Sequence, residues 1–125
     1  MDAADLHRVV EAWIINTQSE QGTPEYEETW WAFDAVMDWT FAQPQLLWQF
    51  ILLTYPRPLS EMAVAQLAAG PMEDLLAKFG REYIDQVEEL ARKDPKFNYL
   101  LGGVWQSSIP LDIWRRIEKT RLKVW

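Results

Sequence analysis

The sequence predicts an all-α fold, an irregular bundle of seven or eight short helices, with HEAT-like stacking of helical hairpins as the variant form. Three observations predict it. Apolar residues recur at i, i+3, i+4 and i+7 in segment after segment. Prolines stand directly behind polar residues at the segment starts, where a missing N–H costs nothing. No stretch alternates with the period of two that a half-buried strand requires. No fixed-period repeat favours the HEAT-like variant.

Leu6, Val9, Val10, Trp13 and Ile14 form one stripe on a first helix, and the polar residues 16–22 read as a loop. Thr23-Pro24 reads as an N-cap followed by Pro at the first helical position, opening a second helix to about Ala42. Gln43-Pro44 restarts the chain into Leu46, Leu47, Phe50, Ile51 and Tyr55, which Pro56 and Pro58 end. Ser60 caps a fourth helix through Met62, Val64, Leu67 and Ala68. Gly70-Pro71 separates it from a fifth, with Met72, Leu75, Leu76 and Phe79, closed by Gly80. Tyr83, Ile84, Val87, Leu90 and Ala91 mark a sixth, whose Glu88–Arg92 and Glu89–Lys93 pairs read as a solvated face. Asp94-Pro95 leads into Phe97, Leu100, Leu101, Val104 and Trp105. Pro110 opens the last helix, with Ile113, Trp114 and Ile117 inward and Arg115, Arg116 and Lys119 outward.

At 125 residues the chain reads as one helical domain, residues 1–125. Eight Trp, five Phe and four Tyr supply enough bulk for a core without a cofactor. The absence of cysteine removes disulfides, thiolate catalysis and cysteine metal sites. The start, Met-Asp-Ala-Ala-Asp, lacks the basic and apolar regions of a secretory signal. The longest apolar run, Leu46 to Tyr55, is about half of what a bilayer crossing needs. A cytoplasmic location and no membrane association are therefore expected.

Residues 67–105, LAAGPMEDLLAKFGREYIDQVEELARKDPKFNYLLGGVW, resemble the most recognisable block of a family of small all-α bacterial proteins of unknown function. There a Gly-Pro-(Leu/Met)-Glu-Asp-Leu-Leu stretch precedes a Gly, an amphipathic helix, an Asp-Pro turn and a Leu-Gly-x-x-Trp ending. The resemblance extends weakly back towards Trp30. It implies an all-helical fold and no assigned activity. Read from the residues alone, Glu73 and Asp74 are first-turn carboxylates that complement a helix N-terminus behind Pro71.

The chain shows no catalytic signature. His7 is the single histidine and stands before Glu11 at i, i+4, and no Ser sits in a Gly-x-Ser-x-Gly setting. No EF-hand spacing or phosphate-cradling loop occurs. Neither a metal nor any other cofactor is expected. Charge is lopsided instead: residues 1–76 carry twelve acids and two bases, residues 77–125 ten bases and seven acids. A one-signed acidic field attracts basic partners and repels nucleic acid. Arg115, Arg116, Lys119, Arg121 and Lys123 form a cationic end, interrupted by Asp112 and Glu118.

The second helix stands out. Tyr26, Trp30, Phe33, Met37 and Phe41 share one face and read as its core stripe; Trp31, Ala35 and Trp39 fall nearly opposite, with Glu27, Asp34 and Asp38 as a ridge beside Trp31. Such a helix is either sandwiched between neighbours or shows one apolar face to a partner. The functional expectation is a non-enzymatic binding protein, foremost an immunity protein that covers the basic cleft of a bacterial toxin. Its docking set is Glu25, Glu27, Glu28, Trp31, Asp34, Asp38 and Trp39. Two alternatives stand beside it. One is a ligand-binding protein or enzyme with a Trp-lined pocket holding Asp34 and Asp38; the other is a nucleic-acid-mimicking inhibitor from a phage or defence system.

Overall fold

Thr23, Ser60 and Asp94 each begin a helix by the local chemistry that the sequence announces. Thr23 Oγ1 accepts the Tyr26 N–H, Ser60 Oγ the Ala63 N–H, and an Asp94 carboxylate oxygen the Lys96 N–H. The computed structural model describes residues 1–125. The elements are α1 (Ala3–Gln18), α2 (Pro24–Ala42), α3 (Pro44–Thr54), α4 (Glu61–Leu67), a π-helical turn (Ala68–Met72), α5 (Glu73–Lys93), α6 (Pro95–Leu101) and α7 (Leu111–Thr120). The fold is all-α.

The expected count of seven or eight helices is a slight overcount. From Glu61 to Lys93 the chain is helical without a gap, so α4, the π-turn and α5 make one bent rod and the molecule has six. Pro71 lacks the N–H that would bond back to Leu67, and widening by one residue accommodates it without ending the helix. Gly80 is not a stop either. Phe79 leaves helical geometry (φ −129°, ψ 23°) and kinks α5 just before it. At Gly80 the missing Cβ makes room for α7, since a Cβ there would lie 3.2 Å from Ile113 Cγ2.

α1 also runs further than its stripe suggested. Asn16 and Thr17 are buried, and the Asn16 amide donates to the Tyr26 carbonyl (3.0 Å), tying the end of α1 to the start of α2. The core is one contiguous cluster in which aromatic rings meet edge to face. Phe50 of α3 sits between Trp13 (5.3 Å) and Trp39 (6.2 Å), and Phe97 of α6 between Trp48 (5.9 Å) and Tyr55 (5.1 Å). Such pairs contribute about 0.5–1.5 kcal/mol each beyond the area they bury.

Four further side chains depart from expectation. Trp105 and Met62, assigned to inward stripes, are exposed. Arg116, assigned to the outer face of α7, donates to Glu88 (2.9 and 2.5 Å) and to Asp85 (2.6 Å) of α5. Glu88, read as solvated, is consequently buried.

After α7 the chain folds back over α6. Trp125 N–H donates to the Gly102 carbonyl (3.0 Å), its indole N–H to the Tyr99 carbonyl (2.6 Å), and its ring stacks on Tyr99 at 5.3 Å. Gly102 and Gly103 permit this approach: a Cβ on Gly102 would lie 2.1 Å from the Lys123 carbonyl oxygen, and one on Gly103 2.4 Å from the Trp125 ring. Gly102 has ordinary helical torsions (φ −64°, ψ −20°), so only the tail requires glycine there. Gly102→Ala is accordingly expected to displace residues 123–125 and to cost roughly 1–3 kcal/mol. Loss of the Trp125 indole N–H chemical shift and of its contacts to Tyr99 would report the release.

Candidate functional site

Which side of α2 faces inward is set by its small residues. Ala32, Val36 and Thr40 recur every turn, and with Trp39 they are the buried residues of this helix, which packs chiefly on α1. The helix is thus turned by roughly a third of a turn from the expected orientation. Trp39, assigned to the docking set, is 6% exposed and belongs to the core beside Phe50. Trp30, Met37 and Phe41, assigned to the core, lie on the outside; Trp30 is 43% and Phe41 70% exposed. Phe33 is half-buried between the two sides.

Trp31, assigned to the docking set, is 45% exposed. At about 100° per residue, Glu27, Trp31, Asp34 and Asp38 share a narrow arc, with Trp30, Met37 and Phe41 on its flank. Glu27 to Asp38 spans about 16 Å along the axis at the helical rise. Glu25 and Glu28 are exposed in the first turns, roughly a quarter-turn or more round the helix from that ridge. They complement the positive helix end and do not extend the ridge. The structure thus brings together Glu27, Trp31, Asp34 and Asp38, adds Trp30, Met37 and Phe41, and removes Trp39. The recurrence of Ala32, Val36 and Thr40, a seam that lets another helix approach closely, was the available signal for the correct orientation.

α2 carries five acids and no base of its own. Elsewhere six carboxylates find cations of the same chain: Asp5 with Arg8, Glu11 with Arg57, Asp112 with Arg81, Glu89 with Lys93, and Asp85 and Glu88 with Arg116. Hydrogen bonding to Arg116 holds the Glu88 carboxyl below its ordinary range. Glu25, Glu27, Glu28, Asp34 and Asp38 make no ion pair. Lys78 of α5 reaches this side, its Nζ 4.2 Å from the centroid of the Phe41 ring. Charge of one sign is left uncompensated beside half-exposed indole.

Elsewhere the candidate chemistry dissolves into structure. His7 is exposed, and the Ser19 hydroxyl donates to the Ile15 carbonyl. Glu73 and Asp74 do not cap a free helix end, because α5 continues from the π-turn. Glu73 accepts the Trp105 N–H at 3.2 Å, and burial raises its pKa. No group of three His, Asp or Glu side chains is placed to hold a metal ion. None of the five principal clefts is lined by Trp31, Asp34 or Asp38. No helix is long and apolar enough to cross a membrane.

No curated protein and no solved structure matches the chain. A family model described as a family of unknown function (DUF6869) matches residues 19–124, from the end of α1 through the tail that covers Gly102 and Gly103, and the chain belongs to that family.

Proposed function

We propose that this chain is a non-enzymatic binding protein that docks a basic protein partner on the outer face of α2. The best-fitting case is an immunity protein that covers the active-site cleft of a toxin. The observation that carries the reading is the grouping of Glu27, Asp34 and Asp38, none of them in an ion pair, beside the exposed Trp30 and Trp31. Toxins that act on nucleic acids or nucleotides need cationic clefts to bind phosphate. Carboxylates on a rigid helix would occupy those cations, while indoles and Phe41 exclude water and strengthen each pair. Long-range attraction would speed the encounter and set its register. Trp31 interrupts the acidic ridge, an arrangement that suits a protein surface better than imitation of an evenly charged nucleic acid.

The triple variant Glu27→Lys, Asp34→Lys, Asp38→Lys is expected to weaken the partner complex by roughly a hundredfold or more. Because these side chains make no internal bonds, helicity should stay constant and the melting temperature should move by only about 2 °C. The measurement is affinity capture from the native host followed by titration of the recovered protein against both forms. The captured protein should be basic and toxic when expressed alone. A partner that binds both forms equally, or a variant that loses its helicity, would defeat the reading.

A further inference from the structure

We propose that the cleft between the end of α1, the first half of α2 and α4 binds a neutral sugar ring, with Asn16 and Gln66 holding its hydroxyls. The cleft measures about 430 Å³, the size of an ordinary small-molecule site. On a chain with a net charge of −7, no charged side chain lines it. It therefore selects an uncharged ligand, because nothing there would balance a phosphate, a carboxylate or an ammonium. Glu27, Trp31, Asp34 and Asp38 do not line it either, so the site stands apart from the docking face of α2 and does not depend on that reading.

Asn16 is only 3% exposed. Its NH₂ group donates to the Tyr26 carbonyl at 3.0 Å, which fixes which end of the amide is oxygen. That oxygen accepts no hydrogen bond from the chain. Since no fully buried polar atom of the molecule lacks a partner, the oxygen is not sealed in the core and reaches the cleft. The other buried amide, Asn98, is used at both ends: it donates to the Ala91 and Thr120 carbonyls and accepts the Leu122 N–H. Beside Asn16, the Thr17 and Ser19 hydroxyls spend their protons on the Ile14 and Ile15 carbonyls and offer lone pairs only. This wall calls for donors. Gln21, Gln66 and the Tyr26 hydroxyl make no hydrogen bond within the chain, and each has a donor to give. A sugar hydroxyl gives one hydrogen and has two lone pairs, so one ring serves both kinds of group. Its apolar C–H face suits the half-buried rings of Tyr26 and Phe33. A nucleobase holds its donors and acceptors in one plane, whereas the groups here come from α1, the loop after it, α2 and α4.

The probes are the methyl glycosides of glucose, galactose and mannose, with cyclohexylmethanol as a control that keeps the ring size and a single hydroxyl. At least one glycoside is expected to shift the side-chain NH₂ resonances of Asn16 and Gln66 saturably at millimolar concentration, and cyclohexylmethanol to leave them in place. Thr17→Val, which keeps the shape and removes a lone-pair oxygen, should weaken that binding roughly three- to tenfold. Gln66→Leu should do the same, and because Gln66 is half-buried and bonds to nothing in the fold, the melting temperature should stay within about 2 °C. The Glu27→Lys, Asp34→Lys, Asp38→Lys variant should bind the glycoside as wild type does, whatever becomes of partner binding. Tighter binding of the matching disaccharide would mark the end of a glycan as the source, and equal binding a free monosaccharide; both support the site. Absence of saturable shifts with all three glycosides, equal shifts with cyclohexylmethanol, or wild-type affinity in both Thr17→Val and Gln66→Leu would each overturn it. So would a response to adenosine alone. Glycoside binding lost in the charge-reversal variant would move the ligand to the α2 ridge and overturn the cleft as its site.

Discussion

Trp39→Ala is expected to cost roughly 3–5 kcal/mol of folding stability, and Trp31→Ala less than about 1 kcal/mol, although both sit on α2 and both were candidates for one docking surface. Trp39 is 6% exposed and meets the edge of Phe50 at 6.2 Å, and Phe50 in turn meets Trp13. Deleting its indole leaves a cavity lined by rings that cannot collapse without moving α1 and α3. Trp31 is 45% exposed and lies outside the core cluster, so its removal loses only part of a surface contact. Urea unfolding followed by far-UV circular dichroism checks this, with a lower midpoint at constant slope for Trp39→Ala. The reverse order of effects would put Trp39 back on the surface and remove the proposed face. In partner binding the ranking inverts: Trp31→Ala should weaken the complex by more than about 1 kcal/mol, as expected of an aromatic anchor.

The second large effect concerns the bond between α7 and α5. Glu88→Gln is expected to destabilise the fold by roughly 1–2 kcal/mol. The buried carboxylate accepts both the Nε and an Nη hydrogen of Arg116, and the amide that replaces it keeps one acceptor, turns an NH₂ donor towards the guanidinium and removes the charge. The figure sits at the lower end for charged hydrogen bonds because Arg116 is partly open to solvent, which screens the pair. The same bond dictates a pH dependence. Arg116 keeps the Glu88 carboxyl below its ordinary range in the folded state, so the unfolded chain takes up the proton first as pH falls. The contribution is therefore complete above the usual carboxylate range and is lost as pH drops through the folded value. Wild type should lose stability on acidification below about pH 4.5, and Glu88→Gln should lose less over that window. Asp94, held low by the Tyr55 hydroxyl that donates to it at 2.7 Å, adds to the slope in the same direction. Equal acid sensitivity of wild type and Glu88→Gln would show that Arg116 does not depend on Glu88.

Helix starts were legible because caps are local chemistry. Thr23, Ser60 and Asp94 each satisfy an amide within three residues, whatever packs around them. Helix ends were less so. Gly70-Pro71 and Gly80 carry the usual marks of interruption, yet the chain stays helical through both, because neighbouring helices hold the π-turn and the Phe79 kink in place. The reason for Gly102 and Gly103 lies some twenty residues further along, in a tail whose return no local pattern encodes.

For the candidate site the division is sharper. The sequence by itself determined that α2 carries more apolar surface than one core contact can use, and that its acids outnumber the cations available to them. Both are properties of composition and of a 3.6-residue period. Only the tertiary structure decided which apolar face is spent on the core. The face with Ala32, Val36 and Thr40 lets α1 come close, whereas the bulkier face with Trp30, Met37 and Phe41 would hold it off. Hydrophobicity alone ranks the two faces nearly alike; the choice is one of shape, and shape belongs to the pair of helices and not to either strand of sequence. Pairing of charges follows the same logic: whether Glu88 or Asp34 finds a cation depends on which helix arrives opposite it, and α7 brings Arg116 to Glu88 while no helix brings a cation to Asp34.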